Sequence, residues 1–329
     1  MGNFVYSLCG VAVGFTCQEP RQSQRLQRLW DRMFVLERVC SPAPDVYYTF
    51  QTSNQPIKKP KEMGLVKASS EHLSVRRTDA GYDLLTDSAI LHIDTQNGSC
   101  TGMINQDFWE QPLEYQRELF MLSFLMLLRP HGRYGLHANA IANDDQGFLI
   151  IGPACSGKTT LTLVMIRSGW KFLSDDAIML QATPDGIYAH ALRRGLSCTP
   201  QTLARFPELK SSADESPTIS DGKKLLDIET RYPDSYTPRI TPKVLLFPEV
   251  TTGHTSRLFP LSDMQAIIAL VEQSPGIMTD HVWVQKQMEV LKKLTGQALS
   301  YRLSLGDDIF NTPQKVISLL KSIERGLYG

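Results

Sequence analysis

Phe148-Leu149-Ile150-Ile151-Gly152-Pro153-Ala154-Cys155-Ser156-Gly157-Lys158-Thr159-Thr160 is the stretch on which the reading of the fold turns. Four apolar residues run into a short loop that closes on Gly-Lys-Thr, and residues 159–168 then carry helical spacing up to Gly169. From Gly152 to Thr159 the segment matches G-x-x-x-x-G-K-[ST] without a mismatch, in the strand–loop–helix setting the motif requires. The chemistry accounts for each position. Glycines let successive backbone N–H groups turn inward on one anion, and the following helix presents its positive end to the same charge. Lys158 would reach the β- and γ-phosphates, Thr159 would offer its hydroxyl to Mg²⁺, and Gly152, Cys155, Ser156, Gly157 and Thr160 would line the phosphates. The expected ligands are ATP and Mg²⁺, although the loop reads phosphates and leaves ATP against GTP open. Cys155 is either a small loop residue or a point of oxidation sensitivity.

Seventeen residues after Lys158 comes Leu173-Ser174-Asp175-Asp176, just ahead of an apolar run through Leu180. A carboxylate at a strand end beside a phosphate loop is where a Mg²⁺ ligand is needed, and a second could accept a proton from an attacking hydroxyl. Upstream, Leu136-His137-Ala138-Asn139-Ala140 opens the strand that precedes the loop strand. Arg193 and Arg194 are candidates for holding phosphate or substrate, and Lys223-Lys224 is a second basic pair; each could equally be ordinary surface.

His137, the loop GPACSGKT, a helix ending Arg-Ser-Gly-Trp and the Leu-Ser-Asp-Asp turn together resemble the catalytic core of HPr kinase/phosphorylase, a family whose fold is related to phosphoenolpyruvate carboxykinase. The resemblance covers residues 136–180 closely and the rest of the chain in element order only. It implies an α/β P-loop kinase core and ATP- and Mg²⁺-dependent phosphorylation of a serine or other hydroxyl on a protein, peptide or small molecule. Under it, Asp175 would be the general base, Asp176 would hold the metal and His137 would tune Asp175, with the two aspartate roles exchangeable. The family's Glu-x-Arg-Gly-Leu-Gly signature has its counterpart at Arg194-Gly195-Leu196, where Leu192 replaces the acid, which speaks against a phosphorylase reaction. The chain is similar instead to divergent HPr-kinase-related proteins, some of which phosphorylate precursor peptides of natural products such as lasso peptides. Rival readings are an ATP-binding regulatory or scaffold protein without transfer activity, and an NTPase driving a conformational change.

The 329-residue chain as a whole sets limits. Lys plus Arg equals Asp plus Glu at 34 each, so nothing in the overall charge points to nucleic acid. The longest apolar stretch, residues 119–128, is too short to span a membrane. Cys9, Cys17, Cys40, Cys100, Cys155 and Cys198 form no CxxC pair, and with no secretory start they suggest reduced thiols in the cytoplasm. A homo-oligomer is an open expectation.

Residues 1–110 read as β-rich: strands over 5–15, 46–50, 73–76, 82–85, 89–93 and 102–104, with one amphipathic helix over 21–39. That helix has a basic face of Arg21, Arg25, Arg28 and Arg32, which is either solvated or docks an acidic partner. Residues 51–62 read as a polar excursion. Residues 111–329 read as the P-loop domain, with helices over 113–128, 263–272, 281–295 and 313–324, strands over 136–142, 178–180 and 244–247, and a loop over 210–221.

Overall fold

A computed structural model describes residues 2–39, 43–53, 55, 57, 65–70, 72–193, 195–219, 222–274 and 281–324. Cys40, Arg194, Asp221 and most of the polar stretch 54–64 lie outside the described residues. The chain divides into two compact units, Met1–Tyr134 and Gly135–Gly329. The sequence boundary near residue 110 falls one helix earlier, because Leu113–Leu127 places Phe120 and Phe124 against Trp30 in the first unit's core. Among the described residues, no helix is long and apolar enough to cross a membrane.

The first unit is a nine-stranded sheet in the order Glu37–Arg38, Gly2–Leu8, Val11–Cys17, Val46–Ser53, Ser99–Asn105, Ala89–Asp94, Gly81–Leu85, Leu73–Arg77, Leu65–Ser70. Val46–Ser53 alternates buried and exposed along most of its length, the mark of one covered face. Pro20–Met33 contributes Leu26, Leu29, Trp30 and Met33 to the core. Trp30 is fully buried and meets Phe15, Tyr48, Phe50, Phe120 and Phe124 edge-on. Two expectations change here. Residues 5–15 are a hairpin rather than one strand, since Cys9 and Gly10 take left-handed φ values of 53° and 76° and return the chain with Leu8 opposite Val11. The helix expected through Val39 stops at Met33, and Glu37–Arg38 then pairs with Gly2–Leu8.

The second unit is built on a six-stranded mixed sheet in the order Lys171–Ser174, Ala138–Asn143, Gln146–Ile151, Pro242–Val250, Leu299–Leu305, Arg257–Pro260. The loop strand Gln146–Ile151 pairs antiparallel with Ala138–Asn143 and parallel with Pro242–Val250. A strand covered on both faces needs an unbroken apolar run. Phe148, Leu149, Ile150 and Ile151 meet this, each at 0% exposure. Lys158–Arg167 packs Leu161, Val164 and Met165 into the core that holds Phe148, Ile150 and Trp170.

The strand expected over 136–142 is interrupted at His137, which separates Arg133–Leu136 from Ala138–Asn143 and donates its N–H to the carbonyl of Gln273 at 2.7 Å. The stretch 210–221, expected as a loop, opens with the short helix Lys210–Glu215, whose Ala213 is buried. Asp263–Glu272 and Pro313–Glu324 have the bounds expected from their periodicity.

Candidate phosphate-loop site

Strand register assembles the site before any side chain is considered. Ala138 lies opposite Ile151, so His137 falls beside the mouth of the loop at Gly152. Ala140 lies opposite Ser174, so continuing the antiparallel ladder brings Asn139 and Ala138 alongside Asp175 and Asp176. Three segments distant in sequence thus converge at one end of the sheet.

The loop has the tight geometry its glycines suggested. Gly157 is left-handed at φ 98°, and a Cβ there would sit 2.7 Å from Leu305 Cδ1, so only glycine fits without displacing the neighbour. Cys155 is also left-handed at φ 64° and is exposed. Gly152 ends the buried strand, and Ser156 is buried with a hydroxyl that has no protein partner. Lys158, Thr159 and Thr160 form the first turn of Lys158–Arg167, where backbone N–H groups have no intrahelical acceptor.

Lys158 is only 5% exposed. Its ammonium donates to the carbonyls of Gly152 at 2.6 Å and Pro153 at 3.0 Å, and lies 3.3 Å from His137 Nε2. Burial lowers its pKa, opposed by the charges of Asp176 and Asp175. Burial likewise lowers the pKa of His137, against the pull of Asp176 at 3.8 Å. A neutral imidazole whose Nε2 accepts from Lys158 carries its proton on Nδ1.

The two aspartates occupy different environments. Asp175 is at 0% exposure; its Oδ2 accepts the backbone N–H of Ser197 at 2.8 Å, and its Oδ1 is buried without a partner. Burial, then the charge of Asp176, raises its pKa from 3.8 to about 6, with Arg193 and the Ser197 hydrogen bond opposing. Asp176 is left-handed at φ 58°, and its side chain is 33% exposed. Its Oδ2 accepts from the Arg193 guanidinium at 3.2 Å.

Arg193, expected at a substrate, is instead only 2% exposed, and its guanidinium is engaged by Asp176 and, at 2.9 Å, by the Ser197 hydroxyl. It lies beneath the site because Ser174 fixes its backbone: the Arg193 N–H donates to Ser174 Oγ at 3.1 Å, and that hydroxyl donates to the Ala177 carbonyl at 2.7 Å. Lys224 donates to the Ser216 carbonyl at 3.3 Å, while Lys223 lies near enough to Lys158 to lower its pKa further.

Sequence reasoning passed over Asn139 and Ser197. Asn139 is fully buried; its Oδ1 accepts the Asp176 N–H at 3.0 Å and its Nδ2 donates to Thr162 Oγ1 at 3.1 Å. A polar residue in an otherwise apolar run, Ala138-Asn139-Ala140-Ile141-Ala142, was the available signal. Ser197 had none, since its importance comes from a backbone N–H.

No protein-family model matches the chain, and no curated protein matches its sequence. Among solved structures, the chain is similar to the Hpr(Ser) kinase/phosphatase from Coxiella burnetii, with 14% identity and a TM-score of 0.33, over 59% of this chain and 92% of that one.

Proposed function

We propose that this protein binds a nucleoside triphosphate with Mg²⁺ and transfers its terminal phosphoryl group to a hydroxyl, with ATP as the donor and a serine of a protein or peptide as the first acceptor to test. The observation that carries the reading is the convergence at one loop of Lys158, His137 and the one-third-exposed carboxylate of Asp176. The fit to a triphosphate rests on three features of the loop: the orphaned Ser156 hydroxyl, the Gly157 position that a Cβ would fill, and free N–H groups in the following helical turn.

Mg²⁺, when bound, neutralises phosphate charge as it builds in the transition state. Thr159, on the first turn after the loop, is the oxygen donor that would hold it. Lys158 exchanges its loop carbonyls for phosphate oxygens, and the loop N–H groups orient the same anion. Of the exchangeable aspartates, Asp176 is the one exposed enough to meet an acceptor hydroxyl and take its proton. Asp175, with no exposed surface, acts through position: it fixes Ser197 and, with Arg193, sets the charge beneath Asp176. Arg193 holds Asp176 from beneath, while His137 lies 3.8 Å from its Oδ1.

The deciding experiment pairs a fluorescent ATP analogue with a γ-labelled ATP transfer assay over an array of serine peptides. Lys158→Ala should weaken nucleotide binding about a hundredfold or more. Asp176→Asn should leave binding within a few-fold and reduce transfer by about 10²–10⁴. Binding indifferent to Lys158→Ala would sink the nucleotide site. Binding intact with no labelled acceptor would reassign the protein to nucleotide sensing.

A further inference from the structure

The basic face of Pro20–Met33 is not absorbed by the phosphate-loop site. Its opposite face buries Leu26, Leu29, Trp30 and Met33, which fixes the helix rotation and leaves Arg25, Arg28 and Arg32 exposed. Spaced at i, i+3 and i+7, the three form one line along the helix. At 1.5 Å per residue that line is about 10 Å long. Among the described residues, none of the three is in an ion pair.

These arginines form one wall of a groove of about 310 Å³, whose other side is supplied by Trp109, Glu110 and Leu113. Trp109 stands on the turn Gln106–Glu110, with its ring edge-on to Phe108 at 5.2 Å. The Arg25 guanidinium lies 5.6 Å over the Trp109 ring, and the indole N–H is buried without a hydrogen-bond partner. Three cationic side chains face one carboxylate, Glu110, in a concavity that concentrates their field.

We propose that this groove binds an acidic peptide segment in the polyproline II conformation, with carboxylates three residues apart. Polyproline II repeats its face every three residues and rises about 3.1 Å per residue, so carboxylates at i and i+3 stand about 9 Å apart. That matches the line from Arg25 to Arg32. Grooves walled by an aromatic ring suit this extended form, since the ring packs on the backbone ridge while cations meet the acidic side chains. A nucleic-acid strand fits less well: Glu110 would face its phosphates, and the chain as a whole is neutral.

The test is a fluorescence-anisotropy array of proline-rich peptides carrying two glutamates offset by one to five positions, read against the full chain. Binding should peak at an offset of three and fall with added salt. The exposed pair Arg28→Glu/Arg32→Glu should weaken the best peptide about tenfold, while circular dichroism stays unchanged. Glu110→Gln should tighten it about two- to threefold, the size of an exposed charge pair. Flat dependence on offset, no binding across the array, or indifference to the double reversal would overturn the proposal. Equal displacement by an oligothymidylate of matched charge would overturn it as well, by showing a general polyanion surface.

Discussion

The cores of the two units solve opposite problems. Around Trp30, aromatic rings meet ring to ring, with centroids 4.7 to 6.2 Å apart across Phe15, Tyr48, Phe50, Phe120 and Phe124. Beneath the phosphate loop, Asn139, Ser174, Asp175, Arg193 and Ser197 are equally buried but polar, tied by directional hydrogen bonds at 2.7 to 3.2 Å. Apolar packing is strong and tolerant of small rotations. A polar network is costly to bury and fixes angles. The difference teaches where each unit spends its folding energy: on cohesion in the first, on orientation in the second.

The comparison breaks most visibly at Trp30. Trp30→Ala should cost about 3–5 kcal/mol of stability, seen as a lower urea midpoint, because it empties a fully buried site. Nucleotide affinity of the folded fraction should stay within twofold; a large loss would mean the aromatic core also sets the site.

Arg193→Met comes next. It leaves buried Asp175 and one-third-exposed Asp176 without their shared cation, which should cost about 1–3 kcal/mol. Transfer should fall more than the midpoint does, and Arg193→Lys should restore stability better than turnover, since an ammonium cannot engage Asp176 and Ser197 in one plane. Equal rescue of both quantities would make Arg193 a simple counter-charge.

Asn139→Ala should cost about 1–3 kcal/mol by orphaning the Asp176 N–H and the Thr162 hydroxyl. Asn139→Ser should recover stability only in part, and kcat should respond more than nucleotide affinity.

The smallest effect is on pH. Asp175 is raised from 3.8 to about 6 by burial, so the folded chain holds a proton that the unfolded chain has lost across that window. Its contribution to stability is therefore complete below about pH 4 and lost as pH rises toward 6. In Mg²⁺-free buffer, urea midpoints should decline through this range, and Asp175→Asn should flatten that part of the curve. A midpoint that climbs identically in both proteins would remove Asp175 as its cause.

Legibility in the sequence followed the same division. The strand–loop–helix geometry over 148–167 could be read because its constraints are local: a glycine where the backbone is left-handed, a lysine and a threonine on the first helical turn. The periodic helices Asp263–Glu272 and Pro313–Glu324 were readable for the same reason. His137 was visible through its position at a strand start, but its break in the strand was not, since that depends on the Gln273 carbonyl more than a hundred residues on. Arg193 read as a phosphate or substrate candidate or as ordinary surface; only the fold around Ser174 buries it. The hairpin at Cys9-Gly10 was hidden because the apolar run continues across the turn.

Asn139 gives the site a mechanical character. One amide grips the helix that follows the phosphate loop through Thr162 and, with its other end, the turn that carries Asp176. The link works like a tie rod: the helix and the acid turn share one buried amide, so neither can shift without loading the other. Under the proposed reaction, any change a bound nucleotide makes in the affinity for an acceptor at Asp176 is returned by the same factor.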